Sequence, residues 1–264
     1  MSEIKNKKIL ITGATGGLGV EMVKAFLNEG GELILSDLNE DSLKKIELAY
    51  KDYGSGKILG TISSDLSSED GCENLVKESG SFTNCPDILV NNAGIAVIGP
   101  FVSIPQEKWE KILQINLLAP MRLTYKFLPA FLERNSGHIV NVSSVAGLIA
   151  VPNLATYSVS KFGIKAFGEA LEQEVSGTSI RVTNVYPFFT RTPILQSEQI
   201  GVSKEMNVPD YLLSKPEDVI RDLIKGLKNN EVHVHPGGIS KLIDVVNRFL
   251  PRVFQTLSGV LIGK

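Results

Sequence analysis

The sequence predicts an α/β fold in which helices cover both faces of a parallel sheet of about seven strands. Short β-branched runs alternate with longer amphipathic stretches, the pattern of successive β-α units. Most of these runs are too continuously apolar to be half exposed, as expected of strands buried on both faces. A glycine-rich turn joins the first apolar run to the first amphipathic stretch, where a doubly wound sheet binds its ligand.

The strands are expected at KKILIT (7–12), ELILS (32–36), KILGTIS (57–63), DILVN (87–91), GHIVNVS (137–143), SIRVTNVY (179–186) and EVHVH (231–235). Helices are expected to begin near Gly17, Glu40, Ser67, Gln106, Ala155 and Pro216. Ser67 with Asp70 three residues on suits an N-terminal cap, Gly30 and Gly31 suit the end of the first helix, and Pro216 suits a first helical turn. The segment 187–215 is the longest irregular piece, of a length at which loops are usually functional. No repeat or interdomain linker interrupts the chain, so residues 1–264 are read as one domain with one large core.

Composition narrows the partners. The net charge is −2 and no block of Lys and Arg forms a basic stripe, so no nucleic acid is expected. Cys72 and Cys85 form no CxxC and lie in no His-rich cluster, which suits a reducing cytosol. The polar start MSEIKNKK runs straight into the first strand, leaving no room for the apolar centre of a signal peptide, and no run of 18 apolar residues occurs. The expected location is cytoplasmic. His233 and His235 alternate on a strand and so share a face, but two ligands do not make a site, and no metal is assigned.

TGATGGLG (12–19) carries the chemistry of a phosphate cradle. Gly13 permits the tight turn, Gly17 and Gly19 permit close approach of backbone to pyrophosphate and of helix to sheet, and the helix N-terminus offers unpaired N–H groups. The second strand ends at Asp37, where a carboxylate can accept hydrogen bonds from ribose hydroxyls and repel a 2′-phosphate. NAD(H) is therefore expected over NADP(H). A reading in which Asp37 only caps the next helix stays open at this point.

In TYSVSK, Tyr157 and Lys161 lie four apart, so on a helix they share a face. Together with the T-G-x-x-x-G-x-G spacing and Asn91-Asn92-Ala93-Gly94 after the fourth strand, this pair makes the sequence resemble the short-chain dehydrogenase/reductase family over about residues 7 to 192. The resemblance implies a Rossmann domain and a catalytic set of Asn116, Ser144, Tyr157 and Lys161, with Ser143 as the lesser alternative to Ser144. It implies cofactor contacts from Gly13, Thr15, Gly16, Gly17, Leu18 and Gly19, from Asp37 and Leu38, from Asp65 and Leu66, and from Asn92, Ala93 and Gly94. Tyr157, Lys161, Pro187, Thr190 and Thr192 complete that set.

The implied reaction interconverts an alcohol and a carbonyl, with the substrate oxygen between Ser144 and Tyr157. A tyrosine near pKa 10 needs about 4 kcal/mol of help to act as a base near neutrality, and Lys161 and an oxidised nicotinamide are the expected cations. The resemblance also implies that Lys161 holds the nicotinamide ribose and that Asn116 supports a water chain to it. The family usually has glycine after Pro187, where this chain has Phe188, so a strained backbone is expected there if the residue must take φ > 0. Phe188 and Phe189, with Ile194, Leu195 and Met206, either shape a lipophilic substrate pocket for a steroid, retinoid or acyl-chain alcohol or ketone, or only pack under a lid.

Two other functional classes compete. A cofactor-sensing regulator would bind the dinucleotide without chemistry, and its usual mark is loss of Tyr or Lys, both present here. A sugar-nucleotide epimerase is disfavoured by the glycine spacing and by the lack of a large C-terminal substrate region. The tail 239–264 has a helical apolar stripe interrupted by Pro251. Packing on its own subunit or on a neighbour in a homodimer or homotetramer is the favoured reading, with peripheral membrane association aided by Lys241, Arg248, Arg252 and Lys264 as the alternative.

Overall fold

In the computed structural model, which describes residues 3–203 and 208–249, alternate side chains of each central strand enter different cores. On β1 (Lys8–Thr12), Ile9 and Ile11 enter one cluster and Leu10 the other. On β2 (Glu32–Asp37), Leu33 and Leu35 likewise part from Ile34. This alternation needs helices on both sides. The first face is covered by α1 (Gly17–Asn28), α2 (Glu40–Tyr50) and α7 (Pro216–Lys228), through residues such as Phe26, Leu43 and Leu223. The second is covered by α3 (Glu69–Ser79), α5 (Ala119–Glu133) and α6 (Ala155–Glu174), through Leu75, Phe127 and Leu171.

The remaining strands are β3 (Lys57–Ser63), β4 (Ile88–Asn91), β5 (Gly137–Val142), β6 (Ile180–Val185) and β7 (His233–Val234). They complete a seven-stranded parallel sheet of order β3-β2-β1-β4-β5-β6-β7. The winding direction reverses between β1 and β4, which opens a crevice at their carboxyl ends. Across β4, β5 and β6 the register aligns Asn91, Asn141 and Asn184. Their buried amides form a ladder, Asn91 Nδ2 donating to Asn141 Oδ1 at 3.0 Å and Asn141 Nδ2 to Asn184 Oδ1 at 3.3 Å.

Local signals place the helix ends. Gly30, at φ +79°, ends α1, and Gly31 N–H returns to the Phe26 carbonyl at 2.9 Å. Pro216 opens α7. The cap of α3 is Ser68, which accepts from Gly71 N at 3.0 Å, and not Ser67. Ser67 gives its own N–H to the Asp65 carboxylate at 2.9 Å, which leaves its neighbour to enter the helix. The last strand is shorter than the EVHVH run, because only His233 and Val234 pair with β6.

The helix expected from Gln106 is three pieces: α4 (Gln106–Leu113), a π-helical turn over Gln114–Leu118, and α5. Such single π-turns recur where a helix must re-aim a side chain. Near the C-terminus, α8 (Ile239–Phe249) packs by Ile243 on Val145, Leu148 and Tyr186, and Asn247 Nδ2 donates to the Leu148 carbonyl at 2.9 Å. The stripe expected on this helix therefore divides: Ile243 faces inward, whereas Ile239, Leu242 and Phe249 are exposed. Pro251 and the rest of 250–264 lie outside the described residues, as does Met206. Among the described residues no helix is long and apolar enough to cross a membrane.

Candidate active site

The turn between β1 and α1 leaves room for a ligand because it has little side chain of its own. Gly13 sits at φ +65°, and a Cβ there would lie 2.7 Å from Ala93 Cα, so neither the conformation nor the space admits another residue. A Cβ on Gly19 would meet the Gly13 carbonyl oxygen at 2.1 Å, which lets α1 start hard against the turn. Gly16 caps α1 without a side-chain hydrogen bond, and the first turn carries no acidic residue. Its N–H groups thus face the cleft with a positive helix end behind them.

Asp37 closes the end of the cleft beside the glycine turn. Its Oδ2 accepts from Thr15 N at 2.9 Å and its Oδ1 from Leu38 N at 2.7 Å, so the carboxylate ties the end of β2 to the glycine turn. It does not cap α2; that role falls to Asn39, which accepts from Ser42 N at 2.8 Å. Asp65 stands beside it after β3, its carboxyl held below the ordinary range by hydrogen bonds from Ser67.

The next strand end is stapled to this turn. Thr12 Oγ1 donates to the Val90 carbonyl at 3.1 Å and accepts from Asn92 N at 3.0 Å and Ala93 N at 3.1 Å. Asn92 Nδ2 donates to the carbonyls of Thr12 at 3.0 Å and Gly13 at 2.9 Å. Asn116, presented by the π-turn, is buried and clamps Ile95 by both backbone groups, accepting from its N at 2.9 Å and donating to its O at 2.9 Å. Its Nδ2 also reaches Ser160 Oγ at 3.2 Å.

Beyond the clamp, α6 brings Tyr157 and Lys161 under the end of β5. Lys161 is buried and donates from Nζ to the Val142 carbonyl at 2.8 Å, with Nζ 5.6 Å from the centre of the Tyr157 ring. Burial lowers Lys161 from 10.5 to about 8 and raises Tyr157 from 10.0 to about 12, and the hydrogen bond with the Ser144 hydroxyl works against the second shift. The expectation that Lys161 acidifies the phenol is therefore not met by the protein's own groups, since desolvation drives both side chains toward neutrality. Ser143 and Ser144 separate cleanly. Ser143 is buried and donates to the Lys161 carbonyl at 2.8 Å, whereas Ser144 lines the cavity and meets Tyr157.

A cavity of about 550 Å³ joins these groups. The family model for short chain dehydrogenase matches residues 7–202, which span every element just described from β1 to the loop after β6. The chain belongs to the short-chain dehydrogenase family. It is an oxidoreductase. It is 31% identical over 235 residues to a ketoacyl reductase, HetN, of Nostoc sp., covering 89% of this chain and 79% of that protein. Its fold matches a short-chain dehydrogenase/reductase from Burkholderia phymatum solved with NAD (TM-score 0.83, 20% identity, 96% and 97% of the two chains). It also matches one from Sphingobium yanoikuyae solved with NADPH (TM-score 0.80, 24% identity, 95% and 94%).

Among the described residues, the cavity of this short-chain dehydrogenase is lined by all of the cofactor, catalytic and substrate positions selected from the sequence except Gly19 and Asn116. Thr12 and the Val142 carbonyl were not among those positions. A buried threonine at the end of the first strand is the signal for the former, and a backbone carbonyl carries none. Pro187, Phe188, Phe189, Thr190 and Thr192 form the far wall. Phe188 is absent from the residues with positive φ, so the strain feared for it does not arise. Its carbonyl accepts from Thr190 Oγ1 at 2.8 Å, and its ring meets Phe189 edge-on, centroids 4.9 Å apart. A Cβ on Gly17 would lie 2.6 Å from Thr192 Cγ2, so this loop rests on the glycine turn. His233 and His235 pack about Tyr186, whose hydroxyl is 2.9 Å from His233 Nδ1.

Proposed function

We propose that this protein interconverts a lipophilic secondary alcohol and its ketone with NAD(H), using Ser144, Tyr157 and Lys161. The observation that carries the reading is the meeting of the Ser144 and Tyr157 hydroxyls beside a buried lysine, in a cavity continuous with the glycine turn. The residues fit a dinucleotide along its length: Leu38, Asp65 and Leu66 for the adenine, Asp37 for its ribose, the turn for the pyrophosphate, and Lys161 for the second ribose. Bound there, a nicotinamide dinucleotide supplies the hydride donor or acceptor and, when oxidised, a positive charge near the phenol.

The side chains then divide the work. Ser144 directs a hydrogen bond to the substrate oxygen and Tyr157 exchanges its proton with that oxygen. A phenol held near 12 keeps its proton, the form that suits protonation of an oxygen during ketone reduction. Asn116 fixes the backbone at Ile95 beside this point. The substrate end is walled by Ile98, Val151, Leu154, Phe188, Phe189 and Leu195, which favours an apolar body on the substrate. The preference for NAD(H) rests on the Asp37 carboxylate. Tyr157→Phe should retain NADH binding by fluorescence titration and lose about 10²–10⁴ in kcat with an apolar ketone. Turnover near that of the native protein would refute the assignment.

A further inference from the structure

We infer that α8 positions the substrate end of the site from behind, with Asn247 fixing the segment that carries Ser144 and Ile243 backing the wall formed by Phe188. The inference rests on the proposed role of Ser144 toward the substrate oxygen. The short-chain dehydrogenase model ends at residue 202 and so assigns nothing to this helix. Among the described residues, none of α8 lines the cavity. Its influence must therefore pass through the groups it touches.

Ser144 caps a short 3₁₀ turn over Val145–Gly147, its Oγ accepting from Ala146 N at 3.1 Å. On one side α6 holds this segment: Ser143 donates to the Lys161 carbonyl, and Gly147 lies so close to the same oxygen that a Cβ would clash with it. On the other side α8 holds it. Asn247 Nδ2 donates to the Leu148 carbonyl at 2.9 Å, and Ile243 is buried in one cluster with Val145, Leu148 and Tyr186. Phe188 packs against that cluster, and Val145 N donates to the Pro187 carbonyl at 2.9 Å, which joins the serine segment to the Phe188 wall. Val145 and Phe188 line the cavity in front, so α8 completes the packing behind both. A displacement of about 1 Å in a reacting geometry can cost about 10²-fold, so a support outside the cavity bears on turnover.

Asn247→Asp in the full chain keeps the shape of the side chain and removes the donor. Amide hydrogen exchange should become at least about threefold faster over Val145–Ile149 and stay unchanged over the glycine turn. With NADH and an apolar ketone, kcat should fall about tenfold while the dissociation constant of NADH stays within about twofold, a split that a general loss of stability would not give. Ile243→Ala should let Phe188 recede, raising kcat/KM for a bulky ketone relative to a small one at least about fivefold, and Ile243→Met should restore the native ratio. Unchanged exchange in Asn247→Asp would overturn the inference, as would faster exchange with native kcat, or a native ketone ratio in Ile243→Ala. Absence of ketone turnover in the native protein would instead refute the proposed function, and the exchange result alone would then decide whether α8 holds the Ser144 segment.

Discussion

Replacing Asp37 with asparagine should erase most of the discrimination between NADH and NADPH. The carboxylate is pinned in place by Thr15 N at 2.9 Å and Leu38 N at 2.7 Å, at the end of β2 where an adenosine ribose would rest. One unit of like charge at about 4 Å and an effective dielectric near 20 costs roughly 4 kcal/mol. Partial exposure and salt reduce that by about half, and each 1.4 kcal/mol is a factor of ten, so a unit charge is worth about 30-fold. A 2′-phosphate carrying roughly −1.5 to −2 charges thus faces a penalty of about 10²–10³-fold. Asparagine keeps one acceptor for the backbone but not the charge. Any loosening of the turn weakens both cofactors alike, so the ratio of their dissociation constants isolates the electrostatic part. Fluorescence titration should show native preference for NADH by about 10² or more, narrowing at high salt, and Asp37→Asn should reduce it at least about tenfold. Equal affinities in the native protein, or an unchanged ratio in the variant, would refute the reasoning.

The two serines should part in their effects. Ser144→Ala should cut turnover by about 10²-fold or more with little change in melting temperature, and Ser143→Ala should cost about 0.5–1.5 kcal/mol of stability by removing the hydroxyl's hydrogen bond to the Lys161 carbonyl, which keeps its place in the α6 ladder, read by denaturant titration. Asn116→Ala orphans both backbone groups of Ile95; a loss of about 2–4 kcal/mol is expected, with a fall in kcat at saturating cofactor. Lys161 is lowered to about 8 against 10.5 when unfolded, so between these values the unfolded chain binds the extra proton and stability rises with pH. The native protein should gain up to about 3 kcal/mol across that window, a gain that Lys161→Met should abolish in urea titrations at pH 7.5 and 10.

The sheet was legible because strands buried on both faces have little freedom in composition: ILI in β1 and LIL in β2 feed two cores by simple alternation. The glycine turn was legible because close approach forbids a Cβ, a constraint written directly in residue identity. The cap at Ser68 was misplaced by one because two adjacent serines, each followed by acidic residues, offer equal local signals. Helical spacing showed that Tyr157 and Lys161 are neighbours, but not how deeply both are buried, and burial sets the direction of their shifts. The Phe188 position was read as a conformational problem. The backbone after β6 avoids the left-handed region, and the ring is accommodated beside Val145, Leu148 and Ile243.

The π-turn over Gln114–Leu118 has a bearing on any attempt to edit this protein's length. Ile112 and Leu123 are eleven residues apart, about three full turns, and would stack on one side of an uninterrupted helix. Instead Ile112 joins Val97 and Ile104, while Leu123 joins the core beneath the sheet. The additional residue works as a phase shifter that lets one rod serve two separate cores. Deleting one residue from 114–118 would let the turn close as ordinary α-helix with the two halves in their present phase, whereas inserting one would rewind them by about 100° and force one core to give up its apolar side chains.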